Sequence, residues 1–325
     1  MTQRRQGIAN DLLQVGRGIL MGGADVIPGV SGGTVALIVG IYERLITAIS
    51  HIDIQLLRML RRGELRAAAE HLDLRFLIAL GLGIASGIVA LGSIMEKLLT
   101  GPQTRGYTLA AFFGMILGST WIVYQMLDVR TSRRRWEAVL MALLGGAFAY
   151  WLTGLSVLGA SITPGYVFLC GVIGICAMIL PGISGAYLLL ILGFYPTLTD
   201  ILHRLKDGDI NFNDVKTVAL FGLGCALGIT GFSKILRWLL GNYHSPTLAV
   251  LCGFMIGALR RIWPFQLDLT PHTESLKLKH YENTWPTQWG AYEFQCVGVL
   301  LMGFAAVVIL EWISVRRHQS PTPAA

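Results

Sequence analysis

The sequence predicts an all-α polytopic membrane protein made of two inverted-topology repeats, each with a re-entrant helical hairpin and three transmembrane helices. Three observations predict this class: a very apolar composition, an internal repeat, and the placement of basic residues in the loops. Hydrophobic residues make up 54% of the 325 residues and charged residues 14%, with a mean hydropathy of +0.59. Soluble domains carry about 25% charged residues. The composition therefore excludes a soluble fold with a large core.

Eight apolar segments define the expected elements, since about 20 apolar residues are needed to cross a bilayer as a helix. In the first half, 1–160, we expect a hairpin at 12–49 and spans at 74–99, 108–127 and 136–158. In the second half, 161–325, we expect a hairpin at 166–202 and spans at 215–240, 247–263 and 291–313. The protein would thus have six full spans and two re-entrant hairpins.

The second half repeats the first. Pro28, Gly40 and Tyr42 align at one constant offset with Pro181, Gly193 and Tyr195. The stretch ALGLGIASGI in the second segment matches LFGLGCALGI, and TLAAFFGMILG in the third matches TLAVLCGFMIG. Two homologous halves in one chain are typical of secondary transporters, although a duplication that serves only stability is the alternative. The matched glycines predict close helix packing; they are Gly81, Gly83 and Gly87, with Gly222, Gly224 and Gly228.

The basic loops set the orientation, because Lys and Arg concentrate on the cytoplasmic side. If residues 12–49 crossed the membrane once, the arginine-rich loop from Arg58 to Arg75 would lie outside. Two crossings need about 40 apolar residues. Charged residues such as Arg17 and Asp25 interrupt this segment, so too few apolar residues remain. A hairpin that enters and leaves on one side fits both constraints. Three crossings per half then make the halves inverted, with both termini cytoplasmic.

Each hairpin is broken by a Pro-Gly-x-Ser-Gly motif, PGVSG at 28–32 (the first motif) and PGISG at 181–185 (the second motif). Proline ends the incoming helix, and Ser31 and Ser184 stand as N-caps of the outgoing helices. Helix N-termini offer free N–H groups and partial positive charge to anions. Since inversion would bring the two tips together, we expect a central anion site open to either side in turn. The alternative is that both breaks merely let helices bend or pack closely.

Three charged residues near the first motif are further candidates. Asp25 lies inside the membrane, where a carboxylate is costly and usually functional. It would couple transport to protons or, alternatively, bind the broken backbone; Met178 takes the equivalent position in the second half. Glu43 and Arg44 follow the first hairpin and are expected to form an interfacial ion pair, with gating of the cavity as the alternative.

Four basic residues flank the ends of later spans: Lys234, Arg237, Arg260 and Arg261. They are expected either to snorkel to lipid headgroups or to attract a lipid phosphate. The seven histidines and five cysteines are scattered without metal-ligand spacing, and neither a nucleotide-type phosphate loop nor a catalytic triad is visible. We therefore expect no metal, no cofactor, no nucleic-acid partner and no enzymatic activity.

The stretches GGADVIPGVSGGTVALIVGIYERL and AMILPGISGAYLLLILGFY closely resemble the bacterial and archaeal polyprenyl-phosphate transporter family. The resemblance extends from about residue 10 to residue 315. It implies a flippase of the cytoplasmic membrane that returns undecaprenyl phosphate, the lipid carrier of envelope and peptidoglycan sugars, from the outer to the inner leaflet. By position it assigns phosphate binding to Pro28, Gly29, Ser31, Gly32, Gly33, Thr34, Pro181, Gly182, Ser184 and Gly185, with Asp25 in the same motif.

The chain departs from the family pattern at Ala186-Tyr187 and Pro196, so no polar roles are expected there. A carrier of a small soluble anion, with a cavity closed to lipid, is the first alternative. Polyprenyl-pyrophosphate phosphatases use a similar motif, but Gly32 and Gly185 stand where those enzymes have an arginine. The expected partners are polyprenyl phosphate and membrane lipids, with homodimerisation left open.

Overall fold

The computed structural model describes residues 2–25, 31–155, 161–271, 273, 279 and 281–319. The helices in these residues are α1 Thr2–Asp25, α2 Gly32–Ile38, α3 Tyr42–Ser50, α4 Ile54–Arg61, α5 Leu65–His71, α6 Leu74–Thr100, α7 Pro102–Gln125, α8 Ser132–Leu152, α9 Pro164–Ile179, α10 Gly185–Ile191, α11 Tyr195–Asp207, α12 Phe212–Asn242, α13 His244–Ala258 and α14 Ala291–Gln319. A 3-10 turn, Leu259–Ile262, follows α13. Strands β1 Gln266–Asp268 and β2 Tyr281–Asn283 then form a small antiparallel hairpin.

Among the described residues, five helical stretches are long and apolar enough to cross a membrane: Leu74–Gly92, Gln103–Gln125, Phe212–Asn242, His244–Ile262 and Ala291–Ile309. They coincide with five of the six predicted spans. The sixth, 136–158, corresponds to α8, a helix of 21 residues whose first turns carry Arg133, Arg134 and Arg135 and are therefore less apolar. The prediction of an all-α, multi-pass membrane protein is confirmed.

A bend that the sequence did not predict follows each motif. α2 and α3 meet at 120°, and α10 and α11 meet at 107°. At both bends a glycine in the left-handed region ends the preceding helix, Gly40 with φ 68° and Gly193 with φ 69°. The next amide reaches back five residues, from Ile41 to the Ala36 carbonyl in the first bend. This is a Schellman motif, in which glycine avoids the strain that a side chain would bring. The outgoing arm of each hairpin is consequently only two helical turns long.

Glycines join the incoming helices to the first spans. α1 packs along α6, and α9 packs along α12. A methyl group added to Gly83 would overlap the carbonyl oxygen of Val15, and one added to Gly224 would overlap that of Phe168. The same holds for Gly87 against the backbone of α1. The predicted close packing is confirmed at these glycines, whereas Gly81 and Gly222 have no neighbour within 4 Å at that position.

The remaining spans pair across the two halves. α7 packs along α14, and α8 packs along α13. Gly114 meets the backbone of Leu300 in the first pair, and Gly253 meets the backbone of Ala142 in the second. The second span of each half therefore packs against the last span of the other half of the chain. One helix of each pair adjoins a motif: α7 contacts α2, and the α13 backbone lies beside Gly182.

Replacing Gly83 by leucine should destabilise the protein, because α1 and α6 would have to separate to admit the side chain. Overpacking of this kind costs about 1–3 kcal/mol or more. The matched control is Gly81→Leu on the same helix, where space is open. Thermal unfolding of the detergent-solubilised protein, followed by size-exclusion chromatography, should show a lower midpoint for Gly83→Leu only. Equal midpoints for the two variants would contradict the packing described here.

Candidate functional site

The two motif tips are in direct contact. The amide N–H of Gly182 donates to Oγ1 of Thr34 at 2.8 Å, and Oγ of Ser31 donates to the carbonyl of Leu180 at 3.2 Å. Ser31 and Thr34 are almost completely buried. The expectation that the tips meet is therefore confirmed for the described part of each motif. Pro28 and Gly29, which belong to the same predicted site, lie outside the described residues.

The first tip already holds an anionic group of the protein itself. Ser31 is the N-cap of α2 and accepts the N–H of Gly33 at 3.1 Å, while the Asp25 carboxylate accepts the N–H of Gly32 at 2.6 Å. In this structure both amides are therefore occupied by side chains of the protein itself. Asp25 takes the backbone-binding role that was its alternative. A methyl group on Gly32 would lie 2.7 Å from the Asp25 carboxylate, so a larger residue would have to displace that side chain.

The second tip has the same cap but lacks that carboxylate. Ser184 is the N-cap of α10 and accepts the N–H of Tyr187 at 3.4 Å. Gly182 has φ 81°, and an added methyl group would lie 2.8 Å from the Phe254 carbonyl. The side chain of Met178, which aligns with Asp25, lies against Gly185. The Asp25 carboxylate thus neutralises the positive N-terminus of α2, whereas the uncharged Met178 side chain lies beside the N-terminus of α10.

A cavity of about 890 Å³ opens beside α10, and we call it the arginine cavity. Its volume is within the range of roughly 300–1,000 Å³ that is usual for ligand sites. Tyr187, Leu190 and Ile191 of α10 form one wall, so the cavity adjoins the second motif. The other walls combine polar and apolar side chains from α8, α13, the 3-10 turn and the β-hairpin; they include Tyr150, Ile256, Arg260, Arg261, Trp263, Gln266, Lys279, Glu282 and Trp285.

Aromatic rings hold both arginines of this cavity. The guanidinium of Arg260 lies 4.4 Å from the ring centre of Tyr150 and donates to its carbonyl at 3.4 Å. The guanidinium of Arg261 lies 4.6 Å from the ring centre of Tyr187. Such cation–π contacts fix a guanidinium without using its N–H groups. Within the described part of the chain, neither arginine forms an ion pair.

The other charges in the cavity wall do not cancel the arginines. Burial disfavours the Asp268 carboxylate, but hydrogen bonds from the Lys279 ammonium and the Thr270 amide outweigh it and lower the pKa of Asp268 below its ordinary value. Asp268 is therefore charged at neutral pH and neutralises Lys279 at 2.6 Å. Glu282 is exposed in the same wall. The cavity retains an excess of positive charge, as an anion site requires.

Several residues of this site were missed by sequence reasoning. Tyr187 does have a polar role, since its hydroxyl donates to the Thr153 carbonyl at 2.9 Å. Arg105 lies behind the β-hairpin, where it donates to Gln266 at 2.7 Å and lies 3.5 Å from the ring centre of Tyr281. In the sequence, Tyr187 is a tyrosine within an apolar helix. Its hydroxyl needs a hydrogen-bond partner there, and this could have indicated a polar role.

The structure separates the members of two other predicted groups, the Glu43–Arg44 pair and the four basic residues near the ends of the later spans. Arg44 pairs with Asp73 at 2.7 Å and Glu43 pairs with His244 at 3.0 Å, so the predicted Glu43–Arg44 ion pair is wrong. Neighbours at i and i+1 on a helix do not face each other, which explains the result. Of the four basic candidates, only Arg260 and Arg261 line the cavity, whereas Lys234 and Arg237 are exposed on α12.

Comparisons with known proteins agree with the resemblance. The model of the VCA0040-like, undecaprenyl phosphate translocase-like family matches residues 21–279. A polyprenyl-phosphate transporter of Vibrio cholerae is 37% identical over 254 residues, which are 78% of each chain. A polyprenyl-phosphate transporter of Staphylococcus aureus is 28% identical over 258 residues, covering 76% of this chain and 84% of the relative. No solved structure matches. The family and both relatives are named as transporters and not as enzymes, and this chain belongs to the undecaprenyl phosphate translocase-like family.

Proposed function

We propose that the protein transports polyprenyl phosphate across the cytoplasmic membrane, from the outer to the inner leaflet, and captures the phosphate in the arginine cavity. The observation that carries this proposal is the pair Arg260 and Arg261, which form no ion pair with any described residue and line a cavity that adjoins the second motif. Family membership and the names of the two relatives support the substrate class.

The chemistry of the cavity suits a phosphate with a hydrocarbon attached. Guanidinium groups bind phosphate oxygens through paired N–H donors. Apolar and aromatic side chains, among them Ile256, Trp263 and Trp285, share the wall with the two arginines. A small soluble anion would need the donors only, so this mixture favours a lipid phosphate.

The phosphate would then pass from the arginines to the motif tips. The second tip, at Pro181, Gly182, Ser184 and Gly185, receives it first, because Met178 and not a carboxylate lies there. The first tip, formed by Pro28, Gly29, Ser31, Gly32, Gly33 and Thr34, becomes available when Asp25 leaves the Gly32 amide. Protonation of Asp25 would favour that release, since a neutral carboxyl is a weaker acceptor. Asp25 is therefore the proposed coupling residue, and the Glu43–His244 and Arg44–Asp73 pairs are proposed to gate the cytoplasmic side.

Transport of this kind requires access from each side in turn, which inverted repeats provide. We propose that 1–160 and 161–325 are such repeats, with both termini cytoplasmic. Helix contacts that recur in the two halves support the proposal. The contact of Gly83 with Val15 corresponds to that of Gly224 with Phe168. The contact of Gly114 with Leu300 likewise corresponds to that of Gly253 with Ala142. The 120° and 107° bends support re-entrant hairpins in both halves. In this orientation the arginine cavity faces outward.

Arg260→Gln and Arg261→Gln should each weaken binding of polyprenyl phosphate to the purified protein by about tenfold or more, because a charge-assisted hydrogen bond contributes about 1.5–3 kcal/mol. The measurement is equilibrium binding of a fluorescent polyprenyl phosphate in detergent micelles. Arg237→Gln is the matched control, since it removes an exposed cation that does not line the cavity. If all three variants bind alike, the cavity does not capture the phosphate.

The motif tips are tested by leaflet exposure of undecaprenyl phosphate in cells or vesicles. Gly32→Leu should block transfer, because the side chain meets Asp25. Ser184→Ala should slow it by removing the cap of α10, and Asp25→Asn should abolish its dependence on pH. Ser161→Ala, in the exposed loop before α9, is the control and should leave transfer unchanged. If Gly32→Leu, Ser184→Ala and Asp25→Asn all leave the leaflet exposure of undecaprenyl phosphate as in the unaltered protein, the proposed site is refuted.

A further inference from the structure

An apolar groove of about 440 Å³ runs between α7, α8, α13 and α14. Its accessible wall is almost entirely carbon, contributed by residues such as Leu117, Trp121, Val139, Cys252 and Phe304. Trp121 is 50% exposed and Val139 is 41% exposed, so the groove opens to the side of the helix bundle. A long apolar chain could therefore enter it sideways from the surrounding lipid.

The groove continues the arginine cavity. Ile256 of α13 lines both of them, while Arg260 and Arg261 lie one turn further along the chain. The face of α13 that carries Ile256 also carries Cys252 and Ala249, which line the groove. A ligand whose charged end lies at the arginines has a continuous apolar wall along α13.

The internal repeat relates the two sites to each other. When the second spans of the two halves are aligned, Leu117 corresponds to Ile256 and Trp121 corresponds to Arg260. Leu117 and Trp121 line the groove, and Ile256 and Arg260 line the cavity. The same helical position thus carries a cation in the cavity and an indole in the groove. One site is suited to a charged group and the other to hydrocarbon.

We infer that the apolar groove binds the isoprenoid chain of the lipid whose phosphate lies in the arginine cavity. The inference rests on the proposed function. Membrane lipid is as apolar as the groove, so burial from water does not favour the groove. Its affinity for the chain comes from van der Waals packing, which rewards a chain that fits. The groove therefore selects for a long isoprenoid chain and leaves phosphate recognition to the arginines.

The test compares Val139→Trp, which fills the groove, with Leu143→Trp. Both positions are exposed on α8, at 41% and 64%, but Leu143 does not line the groove. The probes are undecaprenyl phosphate and geranyl phosphate, whose short chain does not reach far beyond the cavity. The unaltered protein should bind the long lipid about tenfold or more tightly than the short one. Val139→Trp should remove most of that ratio without changing geranyl phosphate binding, and Leu143→Trp should retain it.

A second measurement does not depend on a substitution in the groove. Undecaprenyl phosphate with a photoreactive diazirine near the far end of its chain should label Trp121, Val139 or Phe304 of the unaltered protein. Unlabelled undecaprenyl phosphate should compete, whereas ordinary phospholipid should not. Labelling that spreads equally to Leu143, or that phospholipid suppresses equally well, would overturn the inference.

The outcomes separate the groove from the proposed function. If Val139→Trp and Leu143→Trp keep the same chain preference while geranyl phosphate still binds and depends on Arg260, the groove inference fails and phosphate capture stands. If neither lipid binds saturably to the unaltered protein, the proposed function fails and the groove inference fails with it.

Discussion

The contact between the two motif tips is the constraint on which the rest of the structure depends. Non-helical backbone inside a membrane protein must have its N–H and C=O groups satisfied. Here each tip satisfies the other, through Gly182 with Thr34 and Ser31 with Leu180. One helix of each cross-packed pair adjoins these tips, since α7 contacts α2 and the α13 backbone at Phe254 lies next to Gly182. Any movement that opens the centre must exchange these bonds for others, and a phosphate with its several acceptor oxygens is a suitable replacement for the carbonyl and hydroxyl acceptors.

The two halves share a scaffold but differ in charge. Asp25 corresponds to Met178, and Trp121 corresponds to Arg260. In the proposed function, the related scaffold gives each side the means to open. The differing charges then let one side attract an anion while the other holds its own carboxylate at the helix terminus. Attraction alone does not drive net transport, since a binding site shifts an equilibrium only by its differential affinity for two states. Under the proposed function, this asymmetry would set where the phosphate is captured, and a coupled step such as Asp25 protonation would set the direction.

The sequence predicts much of the fold and less of the site, for physical reasons. Apolar length, the Pro-Gly breaks and the matched glycines depend on local chemistry, so the spans, the caps at Ser31 and Ser184 and the packing at Gly83 could be predicted. The bends at Gly40 and Gly193 could not, because a single glycine in an apolar run is equally compatible with helix packing. The cavity depends on tertiary contacts: Tyr150, Tyr187 and Arg261 come from three separate elements. For the same reason Glu43 and Arg44, adjacent in sequence, have partners in other elements.

A lipid phosphate presents two problems to a transporter, and the structure separates them. The charged group needs donors throughout its passage, because an unpaired charge in the membrane interior costs several kcal/mol. The hydrocarbon needs no donors and only has to avoid being drawn through a polar passage. In this protein the donors lie at Arg260, Arg261 and the motif tips, whereas the apolar groove lies along α13 and opens toward lipid. In the transport that we propose, only the phosphate crosses the centre, between the motif tips, while the chain follows at the side.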